Sequence, residues 1–265
     1  MGDRFDRLWA VGKPLVGVLD ALGVFRAYRR RRPPRTVILT YHSISTREDL
    51  PGLTTSPASF ARHMAYLAEH FEVIPLAETY QSAAPRDRVA ITFDDGYVDN
   101  FDHAYPVLRK HGFPATIFVI AKEIGQPGYC TLEQLKEMAE GGIEIGGHTV
   151  THPELSLCNE EQLEAEIVEG RRVVSEQLGL PLNHFAYPYG NPQKVGTKAQ
   201  ALAKSAGYEA AVMMVNGEVR PDSPRFELPR IGIRECSVQV LAARLSGFFE
   251  SPGLRRWLRR LGVPG

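Results

Sequence analysis

The residues best suited to chemistry fall in a few short clusters. Asp94 and Asp95 are adjacent and run into Gly96-Tyr97. Neighbouring carboxylates repel, so a fold that holds both at the lip of its core requires a cation or a shared proton there. The plainer use of such a pair is a solvated turn in which one Asp caps the next helix. His148 and His152 stand four apart in His-Thr-Val-Thr-His. On a helical turn that spacing puts both imidazoles on one face, where they reach one ion. Two imidazoles and one carboxylate suit Zn²⁺ with a position left open for water. Co²⁺, Fe²⁺ or Mn²⁺ use similar ligands. The other carboxylate of the pair is then free to act as a base. Tyr41-His42, Tyr187-Pro188-Tyr189-Gly190 and Arg230 complete the set of candidates.

These residues need a scaffold that brings them together, and the pattern around them supplies one. Val89–Asp94 is an apolar, β-prone run that ends in the acidic pair, as a buried strand does. Further strands are expected over Val37–His42, Glu72–Leu76, Ala115–Ala121, Ile143–Gly147, His184–Tyr187, Glu209–Val215 and Phe226–Ile233. Helices are expected over Pro57–His70, Val98–His111, Leu132–Glu140, Glu160–Leu178, Gln193–Ala206 and Ser237–Phe249. Ser56, Thr131 and Asn159 are placed to cap three of them, and glycines follow several ends. Alternating strands and helices imply a parallel sheet. A distorted (β/α) barrel of seven to eight parallel strands is the expected fold, with an open doubly wound sheet as runner-up. In such a barrel every cluster named above lies at the C-terminal ends of strands, on one face.

The chain is 265 residues long with a net charge of zero, and that zero hides an asymmetry. Residues 1–35 carry nine Lys and Arg against three Asp, and residues 251–265 carry four Arg and no acid. The remaining body holds 18 bases and 28 acids. An acidic body argues against nucleic acid as a partner. No Gly-rich phosphate loop follows any strand, which argues against a nucleotide. The expected organisation is a helical basic extension over 1–35, a barrel over 36–250, and a short basic amphipathic tail over 251–265. Both basic ends suit an anionic membrane surface. The apolar stretch Pro14–Phe25 is interrupted by Asp20, is too short to span a bilayer and lacks a signal-peptide cleavage pattern. Cys130, Cys158 and Cys236 are odd in number and far apart. They read as buried free thiols rather than a disulfide framework. A cytoplasmic protein, peripheral at the inner membrane face, is expected.

Thr92-Phe93-Asp94-Asp95-Gly96 and His148-Thr149-Val150-Thr151-His152 resemble the first two motifs of the polysaccharide deacetylase family, the NodB-homology domain of carbohydrate esterase family four. Phe185-Ala186-Tyr187-Pro188-Tyr189-Gly190 resembles its third. Leu39-Thr40-Tyr41-His42-Ser43 and Leu228-Pro229-Arg230-Ile231 are similar to features of a branch that includes deacetylases of exopolysaccharide biosynthesis. The resemblance implies a distorted barrel and a metal-dependent hydrolase. Its substrate would be an acetylated sugar in a polysaccharide or on a lipid carrier. It implies Asp94 as general base, Asp95, His148 and His152 as metal ligands, and the Tyr189 backbone N–H as oxyanion donor. Two departures stand out. An Arg that helps hold the base in many members is replaced by Ala186, and Arg230 is the candidate substitute. The late Leu-x-His motif that carries the usual acid is not evident, and His42, then His184, are the candidate acids. His63, His70, His103 and His111 read as surface or packing residues. Tyr187 and Tyr189 offer rings that can stack on a sugar. The alternatives are a catalytically impaired carbohydrate-binding member and a deacylase of a non-sugar amide.

Overall fold

A computed structural model of the protein describes residues 16–50, 52–82 and 85–251. Within these, contacts separate a unit of Arg35–Glu235 from a second made of chain on either side of it.

The larger unit is built on one parallel sheet. β1 (Thr36–Tyr41) and β3 (Arg88–Phe93) pair along their whole length, from Thr36 with Arg88 to Tyr41 with Phe93. Nearly every residue of both strands is buried, because one side faces the barrel interior and the other lies under helices. From β3 the sheet continues through β4 (Ala115–Val119), β5 (Ile143–Gly147), β6 (His184–Ala186) and β7 (Ala210–Met213). The two-residue β2 (Glu72–Val73) pairs with the first half of β3, while β4 takes its second half.

One extended stretch nearly closes the sheet into a barrel. Its first part, β8 (Leu228–Pro229), pairs with β7, and its second, β9 (Ile231–Gly232), pairs with β1. Arg230 sits between them. Its N–H donates to Val215 O at 3.0 Å, and the N–H of Ile233 donates to Thr40 O at 2.7 Å. The strand order follows the chain from β3 to β8, so the doubly wound alternative is set aside. Inside, Ile38, Ala90, Phe118, Ala186, Ala210, Val212 and Leu228 form one cluster. Burying each large member contributes about 1.5–3 kcal/mol. Packing is tight enough to select glycine at 146, where a Cβ would lie 2.5 Å from the Phe118 ring.

The capping residues expected from sequence act as such. Ser56 accepts from Ser59 N, and Thr131 and Asn159 each form a reciprocal box with the Gln three residues on. Three elements differ from expectation. The strand at Glu72 ends at Val73, since Pro75 has no N–H for a ladder, and a 3₁₀ turn over Leu76–Tyr80 follows. The helix near 98–111 opens with wide i→i+5 turns over Asn100–Ala104. The helix over 160–178 is interrupted by such turns at Ala165–Glu169. Wide turns of this kind are frequent at functional sites.

In the second unit, the helix Val24–Arg31 and the helix Val238–Ser246 share a small core of Val16, Phe25 and Ala243. Leu19, Val240, Phe248 and Phe249 pack around it. Arg32 Nε donates to Ser246 O at 2.8 Å, satisfying a carbonyl of the last helical turn. By contacts, residues 236–250 therefore belong with this unit. Residues 252–265 of the expected tail and the start of the N-terminal extension lie outside the described residues. Among the described residues, no helix is long and apolar enough to cross a membrane. Cys130 is buried, whereas Cys158 and Cys236 are partly exposed, so burial holds for one of the three thiols.

Candidate active site

Most of the residues singled out by sequence converge at the C-terminal ends of the strands. His42 follows β1, Asp94 and Asp95 follow β3, His148 follows β5, Tyr189 follows β6, and Arg230 lies between β8 and β9. Among the described residues, the non-glycine positions with positive φ are Asp95 (73°), Thr149 (67°), His152 (58°) and Tyr189 (61°). Each such conformation costs roughly 1–3 kcal/mol. Their concentration on three neighbouring loops marks a place where side-chain aim is set against local backbone preference. Gly96 (φ 74°) allows the turn after the acidic pair; a Cβ there would lie 3.0 Å from Val119 Cγ1.

Asp95, His148 and His152 each offer one ligand atom, and these lie within 4.8 Å of one another. Asp95 Oδ1 is 3.5 Å from His148 Nε2 and 3.7 Å from His152 Nε2. Tetrahedral ligands at the usual zinc distances stand about 3.4 Å apart, so the donor set fits a divalent cation. His148 Nδ1 lies 2.7 Å from Ala186 O. A carbonyl only accepts, so the proton sits on Nδ1 and the Nε2 lone pair faces the site. Burial lowers the His152 pKa to about 4, with the neighbouring His148 adding to the effect. Burial also works against charge on His148, but Asp95, Asp94 and the Ala186 carbonyl together outweigh it and raise that imidazole. Asp95, despite burial, is held well below the usual carboxylate range by His148, His42 and His152.

The two histidines do not share a helical turn. Residues 148–154 form a non-helical loop, and αL conformations at Thr149 and His152 bring the rings to 4.9 Å. Glu166, from the wide turns of the following helix, holds this loop. One of its oxygens accepts from the N–H of Val150 and of Thr151, each at 2.8 Å, and the other from the Thr151 hydroxyl at 2.6 Å. Nothing in the sequence singled out Glu166; a carboxylate inside an otherwise regular helix facing a motif loop carries no local signature.

Asp94 is buried and gripped by Arg230. The two guanidinium nitrogens meet the two carboxylate oxygens at 2.6 and 2.7 Å, the bidentate geometry of a strong pair. Arg230 is fully buried, donates also to Thr92 Oγ1 at 3.2 Å, and lies over the Phe118 ring. Burial pushes the Asp94 carboxyl up, but the charge and hydrogen bonds of Arg230, together with His148 and His42, hold it below its ordinary value. His42 Nε2 stands 3.9 Å from Asp94 Oδ2. Burial lowers the His42 pKa against the pull of both aspartates.

The aromatic candidates divide. Tyr187 is buried and donates its hydroxyl to Phe226 O, so it packs the barrel. Tyr189 is 51 % exposed at the lip, edge-on to His152 at 5.0 Å and beneath Lys194 Nζ at 4.4 Å. His184 is not brought to the site. It opens β6, at the far end of the barrel, with both ring nitrogens engaged by Glu144 and Tyr80. His63 is likewise a packing residue, buried against Tyr41.

The fold and site define a parallel β/α barrel with a carboxylate–imidazole cluster and an Arg-paired aspartate at its mouth. The chain belongs to the polysaccharide deacetylase family, whose profile matches residues 81–211. It is 34% identical over 211 residues to the Bacillus subtilis (strain 168) protein YxkH, covering 77% of this chain and 74% of the relative. It is 27% identical over 244 residues to the poly-beta-1,6-N-acetyl-D-glucosamine N-deacetylase of Staphylococcus aureus strain MRSA252, covering 84% and 82%. Among solved structures, the deacetylase PplD of Streptococcus pyogenes in complex with acetate superposes with a TM-score of 0.73 at 26% identity, covering 81% of this chain and 99% of that one. IcaB from Ammonifex degensii gives 0.69 at 25% identity, covering 81% and 98%.

Proposed function

We propose that this polysaccharide deacetylase is a metal-dependent hydrolase of N-acetyl groups on N-acetylhexosamine units. Its substrate would be a polysaccharide or a lipid-linked sugar of envelope or exopolysaccharide biosynthesis. The observation that carries the reading is the juxtaposition of an Arg230-paired Asp94 with the Asp95–His148–His152 donor set. Similarity to a poly-N-acetylglucosamine deacetylase supports the substrate class.

Asp95, His148 and His152 would hold Zn²⁺ or another divalent transition metal. Such a cation supplies Lewis acidity, polarising an acyl oxygen and acidifying water. Asp94 serves as the base that takes the proton of the attacking water. The Arg230 fork keeps that carboxylate ionised and oriented, in the place left by Ala186. The Tyr189 backbone N–H, presented by a positive φ, donates to the developing oxyanion. His42 protonates the leaving amine. Burial disfavours the charged imidazole, so in this reading His42 takes its proton during the cycle. Asp94, once protonated, can supply it: Asp94 Oδ2 stands 3.9 Å from His42 Nε2, so the proton passes once the two groups close to hydrogen-bond distance or through one bridging water.

The test is acetate release from short N-acetylglucosamine oligomers by chelator-treated protein, before and after addition of Zn²⁺. Release restored by the metal is expected. Absence of release from protein carrying stoichiometric Zn²⁺ would defeat the reading.

The same proposal places the protein at the cytoplasmic face of an anionic membrane. Exposed Arg26, Arg30 and Arg31, with Leu22 74 % exposed, support it, since each base near such a surface contributes about 1 kcal/mol. Salt-sensitive co-sedimentation with phosphatidylglycerol vesicles, and none with phosphatidylcholine alone, is the expected result. Equal partition onto both lipids would remove it.

A further inference from the structure

The loop that carries His42 is held from one place. Asn100 Nδ2 donates to His42 O at 2.7 Å. Asp99 Oδ1 accepts from Ile44 N at 2.8 Å, and Asp99 Oδ2 accepts from the Ser43 hydroxyl at 2.6 Å. Asn100 Nδ2 also donates to Asp99 Oδ1 at 3.2 Å, locking the two side chains together. Both groups facing the Asn100 amide nitrogen can only accept, which fixes the orientation of the amide. Ser43 and Asn100 are fully buried and Asp99 is nearly so. The His42 carbonyl, the Ile44 N–H and the Ser43 side chain between them are thus gripped by two residues that follow the acidic pair by four and five positions. The wide i→i+5 turns over Asn100–Ala104 begin at this point. The segment Asp94–Asn100 therefore carries the base, a metal ligand and the grip on the loop of the acid.

We propose that Asp99 and Asn100 are positioning residues for proton delivery to the leaving group, acting through the backbone of His42. Their side chains are spent on the loop of His42. The inference rests on the reading of His42 as the acid. Expelling an amine requires a proton, whereas an aryl ester expels 4-nitrophenolate without one. A misplacement of the acid by about 1 Å can cost roughly 10²-fold in rate, and only where a proton must be delivered.

The experiment measures kcat on N-acetylglucosamine oligomers and on 4-nitrophenyl acetate with the Zn²⁺-loaded full chain. The variants are His42→Ala, Asn100→Ala, Asp99→Asn and the His42→Ala/Asn100→Ala double variant, each checked for folding by thermal melt and for metal content. Asp99→Asn is close in shape and stands in if Asn100→Ala fails to fold. Amide turnover is expected to fall about 10- to 100-fold in the positioning variants. Ester hydrolysis should stay within about twofold, and Asn100→Ala should add little once His42 is gone. Parallel loss on both substrates overturns the inference and assigns the pair a purely structural role. If His42→Ala itself depresses both substrates alike, the acid reading fails first and the positioning role falls with it. A selective loss in His42→Ala without one in the positioning variants removes the positioning role alone.

Discussion

Among the described residues, two largely buried histidine–carboxylate clusters stand one at each end of β6, and they are put together in opposite ways. At the N-terminal end His184 is saturated. Its Nδ1 meets Glu144 Oε1 at 2.5 Å, its Nε2 meets the Tyr80 hydroxyl at 2.9 Å, and the second Glu144 oxygen accepts from Thr116. Every polar atom finds a partner within the cluster, which plugs the floor of the barrel. At the C-terminal end His148 spends one nitrogen on Ala186 O and turns the other toward Asp95, sharing that oxygen with His152 at distances too long for good hydrogen bonds. The backbone around the first cluster is ordinary; around the second it is strained at four non-glycine positions. Burial and charge alone do not separate a structural histidine from a functional one. What separates them is whether the lone pairs are consumed within the cluster or left aimed at a common point.

That contrast can be broken or sharpened by substitution. The largest effect is expected for His148→Ala or His152→Ala. Either removes a donor from the cation site, and acetate release should fall by about 10³-fold or more together with bound metal, measured by elemental analysis. Retained activity without metal would erase the difference between the two ends. Arg230→Met comes next. It leaves a buried carboxylate unpaired, a loss of about 3–5 kcal/mol read from the thermal melt. With the guanidinium gone, Asp94 loses its main counterweight to burial, leaving only His148 and His42 against it; its pKa rises, so the acid limb of kcat/KM should move to higher pH. An unmoved limb would show that Arg230 does not set the ionisation of Asp94. Glu166→Ala frees the loop between the two histidines, and metal affinity measured by chelator competition should weaken about 10- to 100-fold. The smallest functional effect belongs to His184→Ala. It should cost about 1–3 kcal/mol of stability through the stranded Tyr80 and Glu144 groups, while turnover of the folded protein at 25 °C stays near wild type. A large loss of turnover there would mean that the floor of the barrel takes part in catalysis.

Much of the site was legible in the chain because its key residues sit directly after apolar strands, where alternation of strand and helix fixes the end of the barrel they occupy. Asp94, Asp95, His148 and Arg230 follow from that placement. The spacing of His148 and His152 suggested a helical turn, but the chain achieves the same convergence with two αL residues, which sequence does not announce. His184 looked like a candidate acid because it borders a strand; only the end of the strand it occupies tells it from His42. Glu166, Asp99 and Asn100 escaped notice because they act through backbone groups of distant loops. The extended stretch around Arg230 was expected, but not that it pairs with β7 on one side of Arg230 and β1 on the other, since two short pairings either side of one residue leave no periodic trace.

The central claim is that Asp94 acts as a base beside a cation site that does not depend on it. It is tested most directly by measuring bound metal and acetate release on the same sample of Asp94→Asn. One equivalent of Zn²⁺ retained with release reduced by about 10²- to 10⁴-fold is the predicted result. Release near the wild-type rate from the metal-loaded variant would contradict it.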